Sequence, residues 1–272
     1  MKVGVVGKGG VGKTTLSALI CREYRARGKR VLAIDTDSNP NLAISLGLDE
    51  ETANSAPVVP RSLAVGGMVE WTPERLVDTF GLPTPSGVTL LHAMRVDQAG
   101  AGCTCTSHAA VRSILGSAID ELAEVTLVDM EAGLEHLSRS GGTLAYADVL
   151  LIVMEPTQKS ILTAARTIQL AEELGIPRMA GVGNKAKLPG DAEFFEKVAG
   201  EFGVPLAAIV PYDGEVPAAD RRGSELKPEA VADIQQAVSA IVDFVESPEA
   251  ERVALLRERD RIEQRLAELK GS

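Results

Sequence analysis

The segment Gly7-Lys8-Gly9-Gly10-Val11-Gly12-Lys13-Thr14-Thr15 constrains this chain more than any other. An apolar run, Val3–Val6, precedes it. A helical pattern, Thr14–Arg27, follows it, with Leu16, Leu19, Ile20 and Tyr24 at helical spacing. The spacing is G-x-x-x-x-G-K-[ST] between a strand and a helix, the context a phosphate-binding loop requires. Glycines let successive backbone N–H groups converge on phosphate oxygens. The helix N-terminus behind them adds a favourable dipole. Gly9, Gly10, Val11 and Gly12 are therefore expected to cradle phosphate. Lys13 is expected to reach the β- and γ-phosphates, the Thr14 hydroxyl to bind Mg²⁺, and Thr15 to donate to the α-phosphate.

Short apolar, β-branched runs recur along the chain: Val3–Val6, Val31–Ile34, Val88–Leu91, Val125–Val128, Val149–Met154, Ala180–Val182 and Leu206–Val210. Several are apolar at successive positions, as in parallel strands covered on both faces. Helical patterns separate most of them. Ser107–Ala123 carries Val111, Ile114, Leu115, Ala118 and Leu122; Ser160–Leu174 carries Ile161, Ala164, Ile168 and Ala171, with Gly175 as a stop. Strand–helix alternation predicts an α/β fold: a doubly wound, mostly parallel sheet flanked by helices. Residues 49–87 hold Pro57, Pro60, Pro73, Pro83 and Pro85, and are expected to form loops with one short helix near Pro73–Phe80. The expected organisation is one nucleotide-binding domain over residues 1–246, then a charged amphipathic helix over 247–272. Ser247-Pro248 suits its N-cap and first position, and Val253, Leu256, Ile262, Leu266 and Leu269 form its apolar stripe.

Composition narrows the function. With 45% hydrophobic and 24% charged residues the chain suits a globular protein, and it is long enough to bury a core without crosslinks. The formal net charge of −10 opposes DNA binding, which needs a basic surface. Aromatic residues at 3% leave little for stacking on single strands. No apolar run reaches the ~18 residues of a membrane span. The N-terminus lacks a signal-peptide pattern. The terminal helix balances its acids and bases, without the basic bias of a membrane-surface helix. A cytoplasmic protein without nucleic-acid or membrane partners is expected.

Lys8-Gly9-Gly10-Val11-Gly12-Lys13-Thr14-Thr15 resembles the deviant Walker A loop of the MinD/ParA/nitrogenase iron protein class, within the SIMIBI branch of P-loop NTPases. That resemblance implies ATP and ADP as nucleotides. It also implies that Lys8 crosses a dimer interface to the partner's nucleotide, giving an ATP-bound, face-to-face homodimer. Asp37, in Asp35-Thr36-Asp37, matches the aspartate that positions the attacking water, while Asp35 at the strand end supports the metal shell or the loop. Asp129, ending Val125–Val128, resembles the Walker B aspartate that holds a Mg²⁺-coordinated water. Mg²⁺ keeps several waters and few protein ligands, so one carboxylate there makes chemical sense. Asn184-Lys185 and Pro211-Tyr212-Asp213 lie beyond strand ends, where ligands bind in such sheets. They resemble the class's adenine-contacting segments.

The three cysteines, Cys21, Cys103 and Cys105, do not form a secreted disulfide framework. Cys21 falls within the first helix and reads as a small core residue. Cys103-Thr104-Cys105 sits in a glycine-rich loop ahead of a helix. A disulfide between residues i and i+2 is strained. Two thiolates suit a soft metal but supply half of a four-coordinate site. A symmetric dimer supplies the other half on its two-fold axis. Four thiolates fit Zn²⁺ or Ni²⁺.

Together, the Lys8–Thr15 loop, Gly102-Cys103-Thr104-Cys105 and Asp129-Met130-Glu131-Ala132-Gly133-Leu134-Glu135-His136-Leu137 resemble the CooC-type ATPases that mature the nickel centre of carbon monoxide dehydrogenase. The resemblance runs through Glu155-Pro156, Asn184-Lys185 and Pro211-Tyr212-Asp213. It spans roughly residues 1–245 and excludes the terminal helix. It implies ATP-dependent dimerisation, Ni²⁺ or Zn²⁺ at Cys103 and Cys105, and the dehydrogenase as client. His108, Glu131, Glu135 and His136 are candidates for transfer ligands or for structural hydrogen bonds. The nitrogenase iron protein carries a second cysteine where this chain has His136, which counts against the same cluster geometry. An iron–sulfur carrier ATPase and a MinD/ParA-like positioning ATPase are the alternatives; the latter shares every nucleotide residue without needing Cys103 or Cys105.

Overall fold

A computed structural model describes residues 1–37, 39, 41–60, 72–93, 111, 122–130, 144 and 147–248. The elements in chain order are β1 (Lys2–Gly7), α1 (Lys13–Ala26), β2 (Val31–Asp35), α2 (Asn41–Ser45), α3 (Glu50–Ser55), α4 (Pro73–Phe80), β3 (Leu82–Pro83), β4 (Thr89–His92), β5 (Val125–Asp129), β6 (Val149–Met154), α5 (Gln158–Glu173), β7 (Met179–Ala186), α6 (Asp191–Phe202), β8 (Leu206–Pro211), α7 (Glu215–Arg221), a 3₁₀ turn (Pro228–Ala230) and α8 (Ala232–Glu246). Six of the seven apolar runs read as strands lie within strands, and Val88–Leu91 starts one residue before β4.

The strands form one sheet in the order β3-β4-β2-β5-β1-β6-β7-β8. Every pairing is parallel except β3 with β4. The expected fold class is therefore the observed one. Successive side chains of a strand point to opposite faces, and here both faces are covered. Along β6, Val149, Leu151 and Val153 enter one core while Leu150, Ile152 and Met154 enter the other. Leu19 and Tyr24 of α1 and Val238 and Ile241 of α8 fill the first core. Ile161 and Ile168 of α5 and Phe195 of α6 fill the second. Cys21 is fully buried in the first core, as its helical position predicts, and burial pushes its thiol well above the usual range.

The sheet order also places the site. From β1 the chain moves outward to β2 on one side, and from β5 it crosses β1 to β6 on the other. The carboxyl end of β1 is thus the topological switch point, where a crevice opens between diverging loops. The glycine loop leaves β1 there.

Local chemistry explains the remaining boundaries. Thr72 caps α4 by accepting the Arg75 N–H, with a proline at the first turn, so the short helix at Pro73–Phe80 forms as expected. Thr157 caps α5 in the same way through the Ser160 N–H, and Gly175 at φ 74° stops it. Two features correct the expectation of loops elsewhere in 49–87. Asp49 accepts the Thr52 N–H and caps α3, a helix that buries only Ala53 and so shows no apolar periodicity. Leu82–Pro83 pairs with β4 across a turn in which the Thr84 N–H donates to the Val88 carbonyl. Ser247 closes α8, its N–H and hydroxyl both returning to the Phe244 carbonyl. Of the helical pattern over 107–121 only Val111 is described, helical and buried; the pattern over 249–270 lies outside the described residues.

Candidate nucleotide and Mg²⁺ site

The loop's shape depends on its glycines. β1 ends at Gly7, φ 148°, where an added Cβ would fall 2.4 Å from the Val153 carbonyl oxygen of the neighbouring strand. Gly12, φ 97°, is the left-handed residue from which α1 starts, and a Cβ there would fall 2.4 Å from Asn184 Nδ2. That amide is not free to move away, because it donates to the Val11 carbonyl at 2.7 Å. Gly12→Ala is therefore expected to cost about 1–2 kcal/mol in backbone strain alone. It also displaces Asn184, so nucleotide affinity should fall together with melting temperature. Titration of a fluorescent ATP analogue beside a thermal melt checks both.

Acidic and hydroxyl groups converge below the loop. Asp35 and Asp129 sit at adjacent strand tips in direct register, and His92 stands opposite Asp35 on the other side. All three are buried. Ser17 donates to Asp129 Oδ1 at 3.0 Å, and the Thr14 side chain also hydrogen-bonds that carboxyl. Thr36 donates both its N–H and its hydroxyl to the Asp129 carbonyl, at 3.1 and 2.9 Å. Asp35 Oδ1 accepts the Asp37 N–H at 3.0 Å, so the buried carboxylate orients the loop that carries Asp37. Asp37 Oδ1 in turn accepts the Asn39 N–H at 3.0 Å. His92 Nδ1 lies 3.9 Å from Asp35 Oδ2.

Burial disfavours charge on this pair. It pushes Asp129 up to about 6, against hydrogen bonds from Thr14 and Ser17 and the nearby Lys13 charge. Burial and the Asp129 charge hold Asp35 well above the usual carboxylate range. A divalent cation at this point relieves the stress. Mg²⁺ binds through one or two carboxylates, usually keeping waters and taking phosphate oxygens as further ligands. The Thr14 hydroxyl beside a buried carboxyl is a donor set of that kind, so these residues fit the ion. Among the described residues, no cluster of three or more His, Cys, Asp or Glu side chains is arranged to hold a metal ion by itself.

On the opposite side of α1 a cavity of about 360 Å³ opens, lined by Gly10, Thr15, Asn184, Pro211, Tyr212 and Asp213 among others. The two segments assigned to the base thus meet the phosphate loop in one crevice. Lys185 donates to the Gly10 carbonyl. Lys187 Nζ lies 4.9 Å from the Tyr212 ring centroid, within cation–π range. Asp213 Oδ1 accepts the Glu215 N–H at 2.7 Å, fixing the turn into α7. Lys13, 8% exposed, donates to the Lys8 carbonyl at 3.3 Å. Lys8 Nζ itself lies 3.7 Å from Glu155.

The structure thus gathers Gly9, Gly10, Val11, Gly12, Lys13, Thr14, Thr15, Asp37, Asp129, Asn184, Lys185, Pro211, Tyr212 and Asp213 around one end of the sheet. Cys103, Cys105, His108, Glu131, Glu135 and His136 lie outside the described residues. Ser17 was missed from the sequence. It lies one turn beyond Thr14 on the same face of α1, and a polar residue on a helix face otherwise buried was the available signal. His92 was missed as well, a polar residue ending an apolar strand.

Comparison with known proteins agrees with this geometry. Residues 3–226 match the model of the CobQ/CobB/MinD/ParA nucleotide binding domain. The carbon monoxide dehydrogenase accessory protein CooC of Rhodospirillum rubrum is 36% identical over 237 residues, 82% of this chain and 88% of that protein. An uncharacterized ATP-binding protein of Methanocaldococcus jannaschii is 34% identical over 232 residues, 79% of this chain and 87% of that protein. Among solved structures, the MinD cell division protein of Aquifex aeolicus superposes with a TM-score of 0.68 at 23% identity, covering 90% of this chain and 95% of that one. Among the described residues no helix is long and apolar enough to cross a membrane. The chain belongs to the CobQ/CobB/MinD/ParA nucleotide-binding family and is an ATPase.

Proposed function

We propose that this ATPase is a homodimeric metal carrier that loads nickel into carbon monoxide dehydrogenase. The observation that carries this reading is the Cys103-Thr104-Cys105 half-site in a chain 36% identical to a carbon monoxide dehydrogenase accessory protein. Two copies joined face to face supply four thiolates, which suit Ni²⁺ or Zn²⁺.

The residues divide the work as follows. The loop from Gly9 to Thr15 binds the phosphates, and Lys13 swings from the Lys8 carbonyl to the β/γ oxygens. The crevice between Asn184-Lys185 and Pro211-Tyr212-Asp213 receives adenine. Thr14 and Asp129 hold Mg²⁺, which when bound neutralises charge on the phosphate oxygens. Asp37, oriented through Asp35, positions the attacking water. Lys8 reaches the partner's nucleotide, so ATP favours one dimer geometry and ADP another. A metal site built across the interface then differs in affinity between those two states, which couples hydrolysis to capture and release. Residues 1–246 form the ATPase unit, and 247–272 an appended helix in the cytoplasmic protein.

Native mass spectrometry of the full chain with Ni²⁺ or Zn²⁺, with and without ATP, tests the reading. About one metal ion per dimer is expected. Replacing Cys103 and Cys105 with serine should reduce occupancy to background while leaving ATP affinity within about twofold, because hard hydroxyls do not replace thiolates for these ions. Metal retained by the serine variant would place the site elsewhere.

A further inference from the structure

Glu155 follows β6 directly, and β6 is the strand paired with β1 on the side of the glycine loop. Its main chain is fixed, the N–H donating to the buried Ser160 hydroxyl at 3.0 Å. Its carboxylate lies between two lysines. Oε1 is 3.7 Å from Lys8 Nζ, and Oε2 is 3.5 Å from Lys185 Nζ. The Thr157 hydroxyl is 3.4 Å from Oε1. Lys185 is also tied to the loop through the Gly10 carbonyl, and among the described residues it alone is a non-glycine at positive φ, 62°. One carboxylate thus serves two cations that flank the phosphate loop.

The two lysines are not equivalent. Lys185 has a second partner inside the protomer, and its backbone is committed to the base crevice. Among the contacts described, the Lys8 ammonium has Glu155. We infer that Glu155 is a positioning residue that holds Lys8 against its own loop in the isolated protomer, and so sets the protein concentration at which ATP drives dimerisation. This rests on the reading of Lys8 as the residue that reaches the partner's nucleotide. Releasing Lys8 leaves no buried charge alone, since Glu155 keeps Lys185 and Thr157. The release costs only a partly exposed ion pair, Lys8 being 35% exposed and Glu155 20%. A contact of that class is worth about two- to fivefold in an equilibrium. Both protomers release one, so the dimerisation constant carries the square of that factor, about four- to twenty-five-fold.

The test measures the dimer fraction of the full chain against protein concentration in a non-hydrolysable ATP analogue, by sedimentation or mass photometry. Glu155→Gln keeps the side-chain length and removes the charge. The midpoint concentration should fall by about four- to twenty-five-fold, while the melting temperature and the nucleotide affinity of the dilute protomer stay at wild-type values. Lys8→Arg keeps the cation, so in that background Glu155→Gln should still lower the midpoint, whereas Lys8→Ala should abolish the dimer. Glu155→Asp, with its carboxylate drawn back from both lysines, should give a smaller shift in the same direction. An unchanged or raised midpoint for Glu155→Gln, in a protein whose Lys8→Ala variant no longer dimerises, overturns the inference and leaves the reading of Lys8 standing. If Lys8→Ala dimerises like wild type, the reading of Lys8 itself fails.

Discussion

Asp37→Ala is expected to bind ATP with near-native affinity, lose turnover by about two orders of magnitude or more, and accumulate as dimer. The geometry separates the two effects. In the proposed arrangement the phosphates lie on the loop from Gly9 to Thr15 and the base in the crevice at Asn184 and Tyr212, and Asp37 does not line that crevice. Its backbone is held by Asp35 Oδ1 and its own carboxylate by the Asn39 N–H. The proposed role of a group placed this way is on the water, not on ATP affinity. Asp37→Asn refines the test, because the amide oxygen still accepts the Asn39 N–H while the negative charge is gone. Equal losses in both variants assign the defect to that charge; a loss confined to alanine assigns it to loop geometry. Single-turnover hydrolysis beside equilibrium ATP binding gives both readouts. Unchanged turnover in Asp37→Ala would move the water-positioning role to another residue.

The phosphate loop was legible because its chemistry forces its residue types: only glycine accepts the backbone at Gly7 and Gly12. The strands were legible because both their faces are apolar, and a run such as Val149–Met154 has no polar position to blur it. Helix α5 carried a readable pattern at Ile161, Ala164, Ile168 and Ala171. The short α3 did not, since it buries one residue and is made by its cap. Relations across the sheet were less legible. Ser17 and Asp129 are 112 residues apart, and the pairing of Asp35 with both His92 and Asp129 exists only through strand register. The position of Glu155 between Lys8 and Lys185 likewise follows from β6 lying beside both β1 and β7. Single residues with obligatory chemistry can be read from a chain; partnerships set by topology need the fold.

Asp129→Asn should separate stability from activity in opposite directions. Burial raises the Asp129 carboxyl from 3.8 to about 6. A raised value means the folded protein holds the proton more tightly than the unfolded chain. The stability this contributes is complete below about pH 4 and is lost as pH rises through about 6. At pH 8 the ionised group burdens the nucleotide-free protein by about 3 kcal/mol, the free-energy equivalent of that difference. Asparagine removes the burden and still offers Oδ1 to the Ser17 hydroxyl. The nucleotide-free variant is therefore expected to melt about 5 °C higher than wild type at pH 8. The gain should shrink towards pH 5, where wild-type Asp129 is itself largely neutral. The same change removes the carboxylate proposed to answer Mg²⁺, so hydrolysis should fall by about two orders of magnitude. The extra stabilisation that Mg²⁺ adds to bound ATP should disappear with it. Melts at pH 5 and 8, with and without ATP and Mg²⁺, read all of these together. A variant that melts below wild type at pH 8 would show that the carboxylate is held by partners that outweigh its burial, and full Mg²⁺-dependent turnover would remove Asp129 from the ion's site.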